Sequence, residues 1–337
     1  MAFVNQPITR RSILGLGVGM AAFGLAACGR AEAPGAETTI PEVANPSYDL
    51  AAGIVTLSNG VEMPITGIGT YALSPDEAAE SVYWCIECGG RLIDTAAAYN
   101  NEEGVGRGIA QAISDGLCSR EDLFVTTKLW QDGYSEQGVD GALGRLGLDY
   151  VDLLFVHQAM GDYRHGYEVV LAAQEAGKAR CVGLSNHTDA QFAEVVDAFG
   201  VAPQVAQYEG HLHLQRHAAQ GFVAQYGTQL EDWFPLGGKG NTATFLGDET
   251  VVAIARELGV SPAQVIERWH LQEGRVIMPG SHNRDHIREN MDVFGFALDG
   301  DQMARLRALD TNSAYFGMVG AMSDETLEAF GDYVFEA

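Results

Sequence analysis

Positive charge is what this sequence is shortest of: 20 lysines and arginines stand against 45 aspartates and glutamates, leaving a net charge of −25. A field of that sign repels phosphate backbones and anionic lipid surfaces, which argues against a nucleic-acid partner and favours a small-molecule substrate. It also opposes any anionic cofactor, so a nucleotide would need a local cluster of donors to hold it. Cysteine is scarce as well, and five in 337 residues form no disulfide framework. Cys85 and Cys88 make a C-x-x-C that could serve as a redox pair or half a metal site. No second such pair completes a zinc site, and core thiols are the better reading. The apolar run Ile13 to Ala27 falls short of the roughly 20 residues that a membrane-spanning helix needs.

That run has the layout of an address. Thr9-Arg10-Arg11-Ser12 precedes it, as in a twin-arginine export signal, and it closes on Leu25-Ala26-Ala27-Cys28, which resembles a bacterial lipoprotein cleavage box. Residues 1–28 are therefore expected to direct export to the cell envelope, with a membrane tether through a lipidated Cys28. Residues 29–46, rich in Ala, Glu, Pro and Thr, form a flexible linker. The folded domain is expected over 47–315, with 316–337 a tail of unassigned role.

Within the domain, apolar β-type runs alternate with helical patterns, the signature of a parallel sheet wrapped by helices. A hairpin comes first: Ile54–Leu57 and Val61–Pro64 flank Ser58-Asn59-Gly60, and Asn-Gly is a strong hairpin turn signal. Eight candidate strands follow, at 66–70, 92–95, 124–128, 151–157, 181–185, 203–208, 229–233 and 275–279, with helical stretches between them and a further helix at 300–309. This pattern predicts an α/β fold, a (β/α)8 TIM barrel with an N-terminal β-hairpin and an extra C-terminal helix. A doubly wound open sheet is the alternative, but Gly67-Ile68-Gly69 lacks the third glycine of a dinucleotide fingerprint.

In such a barrel the active site lies where the strands end. Asp94 ends the second strand, with Tyr99 five residues on; Lys128 ends the third and His157 the fourth. A free tyrosine is a weak acid at neutral pH. An ammonium beside it favours the phenolate, so Lys128 is expected to lower the pKa of Tyr99. Asp94 would keep Lys128 charged and in place, and His157 would hydrogen-bond the substrate oxygen. The bland alternative is a buried ion pair next to a core histidine.

Gly67-Ile68-Gly69-Thr70, Asp94-Thr95-Ala96 through Tyr99, Asn101-Glu102, Lys128-Leu129-Trp130, Asp149 through Leu154, Gly183-Leu184-Ser185-Asn186, Gln207 and Glu289-Asn290 occur in an order that resembles the aldo-keto reductase family, over about residues 54 to 312. The resemblance implies an NAD(P)-dependent oxidoreductase interconverting a carbonyl and an alcohol, with Asp94, Tyr99, Lys128 and His157 catalytic. It implies a nicotinamide cofactor, NAD(H) or NADP(H), across the strand ends. Ser185, Asn186 and Gln207 would hold the carboxamide, Trp233 would stack on the ring, Glu289 and Asn290 would contact adenine, and Gly69, Thr70 and Ser281 would complete the site. Tyr71 and Trp130, with His157, would wall the substrate pocket.

The chain departs from the family pattern at several points. Met278-Pro279-Gly280-Ser281 lacks the usual lysine before the serine, and His286 replaces the usual arginine five residues later. Both are the usual grip on a 2′-phosphate, so NAD(H) is slightly preferred, with His282, Arg284 and Arg288 left as a possible positive cluster. Ala206 precedes Gln207 where asparagine is common, and Gln158-Ala159 follows His157 in place of Trp-Pro. His211, His213 and His217 look like metal ligands, yet relatives with a histidine after the sixth strand bind no metal, and none is expected. The rival functions are a nicotinamide-binding sensor or structural barrel without turnover, and a lyase or isomerase using Lys128 as a Schiff-base amine.

Overall fold

The computed structural model describes residues 46–238 and 240–316. The expected export signal, all but the last residue of the linker and all but the first residue of the tail lie outside the described residues.

Eight parallel strands form the barrel: β4 (Gly67–Gly69), β5 (Leu92–Asp94), β6 (Phe124–Leu129), β7 (Val151–Val156), β8 (Ala179–Ser185), β9 (Val205–Glu209), β10 (Gln229–Trp233) and β11 (Val276–Ile277). They pair in sequence order, and bridges from Thr66 to Ile277 and from Gly69 to Gly280 close the ring. The expected hairpin is present as β2 (Ile54–Thr56) and β3 (Glu62–Pro64), turning through Gly60 at φ +83°. A strand not foreseen, β1 (Ser47–Asp49), pairs with β2 to make a three-stranded antiparallel sheet. Its short, polar sequence gave no alternating signal.

Helices follow the barrel strands: α1 (Pro75–Glu87), α2 (Glu102–Ser114), α3 (Glu136–Leu146), α4 (Tyr163–Glu175), α5 (Asp189–Phe199), α6 (His217–Ala224), α7 (Thr242–Leu246), α8 (Glu249–Leu258), α9 (Pro262–Gln272) and α10 (Arg284–Met291), with α11 (Gly300–Arg307) after the barrel. Local chemistry fixes their ends. Ser74 and Glu77 form a capping box at α1 with Pro75 in the first turn, and Ser261, Gln264 and Pro262 repeat that arrangement at α9. Between α8 and α9 the chain reverses at Gly259, φ +70°, in the left-handed region where glycine meets no steric cost.

Two of the apolar layers position the site. One lies between strands and helices, with Ile93, Val125, Leu154, Val182 and Leu184 packed against residues such as Val82, Val105 and Phe192. The other joins the antiparallel sheet to the first residues of the barrel strands, Val55 and Met63 meeting Leu92, Phe124 and Leu153. The antiparallel sheet thus seals the end of the barrel where strands begin, and the polar residues at the other end are left around a cleft. Among the described residues no helix is long and apolar enough to cross a membrane.

Candidate active site

Lys128, near the end of β6, is fully buried. Its Nζ donates to both carboxylate oxygens of Asp94, at 2.7 and 2.6 Å, and to the Thr95 carbonyl at 2.9 Å. The hydroxyl of Tyr99 lies 3.3 Å from the same Nζ. Tyr99 arrives on a single 3-10 turn, Ala97–Tyr99, ended by Asn100 at φ +54°. His157 follows β7 and meets the Tyr99 ring edge-on at 5.6 Å. The four residues named from the sequence therefore converge, and Asp94, Tyr99 and His157 line one cleft with Gly69, Tyr71, Gln158, Asn186, Gln207, Trp233, Phe234, Met278, Gly280 and Phe316.

The electrostatics of this group correct one expectation. Burial pushes the Tyr99 phenol well above its ordinary pKa, and the carboxylates of Asp94 and Glu231 push it the same way. The charge of Lys128 is matched first by Asp94, and its pull on the phenol does not outweigh burial and the two carboxylates. Tyr99 therefore stays protonated. Burial raises the Asp94 carboxyl too, while Lys128 and Gln207 oppose that rise. The His157 imidazole is held well below its usual range by burial and by Lys128, so it is neutral, and its Nδ1 has no hydrogen-bond partner.

Beside this group stands a set of amide and hydroxyl groups. Asn186 sits just after β8 at φ +60°, its backbone N–H donating to the Gln207 carbonyl at 3.0 Å. Its Nδ2 donates to Ser185 Oγ at 3.0 Å, and its Oδ1 accepts from Trp233 Nε1 at 3.0 Å. Ser185 Oγ in turn lies 3.4 Å from Gln207 Oε1. Ser185, Asn186, Gln207 and Trp233 thus form one connected wall, with donors and acceptors suited to a carboxamide and an indole beside them. The residues present fit a nicotinamide.

The other expected positions fall partly in the cleft and partly outside it. Gly69 lines the cleft, but the Thr70 hydroxyl is buried and donates to the Asp94 carbonyl at 3.0 Å, so it braces β4 against β5. Tyr71 lines the cleft, and Trp130 meets His157 edge-on at 5.1 Å. Glu289 and Asn290 lie on α10 and do not line the cleft. With its amide oriented to satisfy its neighbours, Asn290 donates to Glu267 at 3.1 Å and to the His286 carbonyl at 3.0 Å. Ser281 Oγ accepts from the Asn283 N–H at 3.1 Å.

The anticipated positive cluster is not free. His282 faces Glu77 at 3.3 Å and Glu80 at 3.6 Å, Arg284 holds Glu87 at 2.5 Å, and Arg288 holds Asp285 at 3.0 Å. Three of those carboxylates belong to α1, far away in sequence. The three suspect histidines also part company: His211 faces Glu209 at 3.1 Å, His213 faces the Tyr315 hydroxyl at 2.5 Å, and His217 faces Gln215 at 3.2 Å. Cys85 is buried, burial pushing its thiol up to about 12, and it forms no disulfide with Cys88.

Sequence reasoning missed Glu231, Phe234 and Phe316. Phe316 packs on Phe234 at 4.8 Å and on Trp233 at 5.7 Å. It is held there by Glu209, which accepts from the backbone N–H groups of Tyr315 at 2.6 Å and Phe316 at 3.3 Å.

Known proteins resemble this chain in sequence and fold. The family model described as Aldo/keto reductase family matches residues 65–311. Morphine 6-dehydrogenase of Pseudomonas putida is 39% identical over 274 residues, covering 77% of this chain and 91% of its own. Methylglyoxal reductase DkgA of Escherichia coli (strain K12) is 35% identical over 265 residues, covering 76% and 93%. The crystal structure of a Bombyx mori aldo-keto reductase in complex with NADP superposes with a TM-score of 0.73 at 32% identity, covering 80% of this chain and 95% of that one. A barrel closed at one end by an antiparallel sheet, with a buried lysine–aspartate pair under a tyrosine at the other, thus meets a family match spanning nearly the whole described domain. The chain belongs to the aldo/keto reductase family and is an NAD(P)-dependent oxidoreductase.

Proposed function

We propose that the protein interconverts a small, uncharged aldehyde or ketone and its alcohol, with Tyr99 as general acid and base, and that it prefers NAD(H). The observation that carries this reading is the 3.3 Å approach of Lys128 Nζ to the Tyr99 hydroxyl at the floor of the cleft. A bound reduced nicotinamide supplies the hydride. Neutral His157, with Tyr99, orients the carbonyl oxygen. A phenol that stays protonated is the right form for reduction: as negative charge gathers on the substrate oxygen, Tyr99 gives up its proton. The phenolate left behind faces the Lys128 ammonium, which stabilises it. In the alcohol-oxidising direction the same phenolate takes the proton back.

Two observations support the finer parts. Tyr71, Trp233, Phe234 and Phe316 make the cleft wall aromatic, and no lysine or arginine lines it among the described residues. A carboxylate-bearing substrate would find no counter-ion there. The cations near Ser281 are each committed to a carboxylate, which weakens any grip on a 2′-phosphate. Relatives named for methylglyoxal reduction and for morphine dehydrogenation agree with carbonyl and alcohol chemistry.

The deciding experiment titrates NADH and NADPH into the protein lacking residues 1–28, then assays a panel of aldehydes with the native and Tyr99→Phe forms. Binding with turnover that the variant loses establishes the reading. Binding without turnover favours the sensor, and absence of binding removes the cofactor assignment. We also propose export to the cell envelope, on Arg10-Arg11 and Cys28; a full-length protein that stays cytoplasmic in a bacterium with a working twin-arginine pathway would end that reading.

A further inference from the structure

Glu231 has no part in the chemistry above. It lies in the middle of β10 and is fully buried. Gln207 Nε2 donates to Glu231 Oε1 at 3.0 Å and to Asp94 Oδ1 at 3.3 Å, so one amide bridges the two carboxylates. From Asp94 the chain of contacts continues to Lys128 at 2.7 Å and to Tyr99 at 3.3 Å. Glu231 Oε2 has no hydrogen-bond partner.

The groups around Glu231 come from every neighbouring strand. Asp94 is on β5, Lys128 on β6 and Gln207 on β9; Met278 follows β11, its sulfur 3.8 Å from the same Gln207 amide; Asp232 is next in β10. Asp232 has its own counter-ion, Arg275, at 3.1 Å. That leaves one ammonium for two carboxylates. The cluster is neutral only if one carboxylate carries a proton, and a buried cluster with net charge is costly. Asp94 engages Lys128 with both oxygens and Glu231 with neither, so the proton falls to Glu231. Burial first, and then Asp94, raise its carboxyl to about 8.

We propose that Glu231 is a positioning residue of the catalytic group: as a neutral acid it holds the Gln207 amide and leaves the Lys128 charge to Asp94 and Tyr99, and as an anion it opposes proton release from Tyr99. The proposal rests on Tyr99 as the proton donor. Glu231 gives nothing to the substrate. Its ionisation adds a second negative charge beside the nascent phenolate, so reduction slows as pH rises through the Glu231 transition, well before Tyr99 itself titrates.

The test compares native protein with Glu231→Gln and Glu231→Asp, with NADH and a neutral aldehyde. Native kcat/KM for reduction is expected to fall about tenfold between pH 7 and pH 9. Glu231→Gln is expected to lose that fall while keeping native-like NADH affinity at pH 7, and Glu231→Asp, which keeps an acid, to retain it with a shifted midpoint. Difference infrared titration supplies a readout independent of turnover: a protonated-carboxyl C=O band that disappears around pH 8 in the native protein and is missing from Glu231→Gln. An unchanged alkaline fall in Glu231→Gln, identical profiles for the two variants, or the same infrared titration in native and Glu231→Gln proteins would each overturn the proposal. A band that titrates as expected in a protein that reduces no carbonyl would instead remove the reductase reading, and the positioning role with it.

Discussion

The Lys128 ammonium is bound by both carboxylate oxygens of Asp94, at 2.6 and 2.7 Å, closer than it approaches any hydroxyl in the cleft. Both residues are buried, so each depends on the other to be charged there. Removing one partner of a buried pair typically costs about 3–5 kcal/mol, because the remaining charge is left uncompensated. Asp94→Asn is therefore expected to lower stability on that scale and to abolish turnover. Tyr99→Phe removes only the proton donor: it should reduce kcat by about 10²–10⁴ with little loss of stability. Urea unfolding and steady-state kinetics on the two variants separate these roles. Equal stability losses would place Tyr99 in the structural framework rather than in the chemistry.

His187 offers a pH prediction whose sign can be worked out. Its ring is fully buried, Nδ1 lies 2.9 Å from the Ser185 carbonyl, and Nε2 has no partner. Burial lowers its pKa from 6.5 to about 4, with the Ser185 contact opposing. Between those values the unfolded chain binds a proton that the folded protein does not, so the contribution to stability is intact above 6.5 and is lost as pH falls toward 4. Buried acids such as Glu231 act in the opposite sense, and a difference measurement isolates the histidine. The stability of His187→Gln relative to native protein is expected to improve as pH drops from 7 to 4.5, by up to about 1.4 kcal/mol per pH unit within that window. A pH-independent difference would show that His187 protonates in the fold as it does in water.

Phe316 is predicted to set apparent affinity rather than rate. It covers the cleft against Trp233 and Phe234, some distance from the Tyr99 hydroxyl in the chain of contacts, and Glu209 fixes its backbone. Phe316→Ala should raise KM for a bulky aromatic aldehyde about tenfold while leaving kcat nearly unchanged, consistent with loss of apolar contact alone. Glu209→Gln should produce a milder version of the same effect, since an amide accepts more weakly from the two N–H groups. A fall in kcat without a change in KM would assign Phe316 to the reacting geometry.

Much of this was legible in the sequence because barrel strands advertise themselves. Most are short apolar runs, and where Asp94, Lys128 and His157 break the run, the polar residue marks the end that carries chemistry. Strand β1 was missed because Ser-Tyr-Asp has no pattern of its own and is ordered by pairing with β2. Glu231 and Asp232 did leave a signal. Two adjacent carboxylates inside a strand buried on both faces each demand a cation or a proton. Arg275, distant in sequence, answers one of them, and the other is answered by protonation. The direction of the Tyr99 shift was out of reach, since it depends on a sum over Asp94, Glu231 and burial that only the fold assembles. The same holds for Phe316, which arrives from the far end of the chain.

The cations around Ser281 show what linear proximity conceals, and they lead to the sharpest cofactor prediction. Read along the chain, His282, Arg284 and Arg288 look like a basic cluster next to the cofactor's ribose. In the fold, α1 brings Glu77, Glu80 and Glu87 against His282 and Arg284, and Asp285 takes Arg288. A 2′-phosphate entering there must displace a carboxylate from each cation or accept its negative field. These pairs are exposed, so each contributes little to stability and is weakened by salt. Native protein is accordingly expected to bind NADH about tenfold or more tightly than NADPH at low ionic strength, the gap narrowing as salt is added. Glu87→Gln, which frees Arg284, should improve NADPH affinity and leave NADH affinity nearly unchanged. Fluorescence titrations of both nucleotides across a salt series check this directly; NADPH binding that is tighter than NADH in native protein would mean that the α1 carboxylates yield to the phosphate.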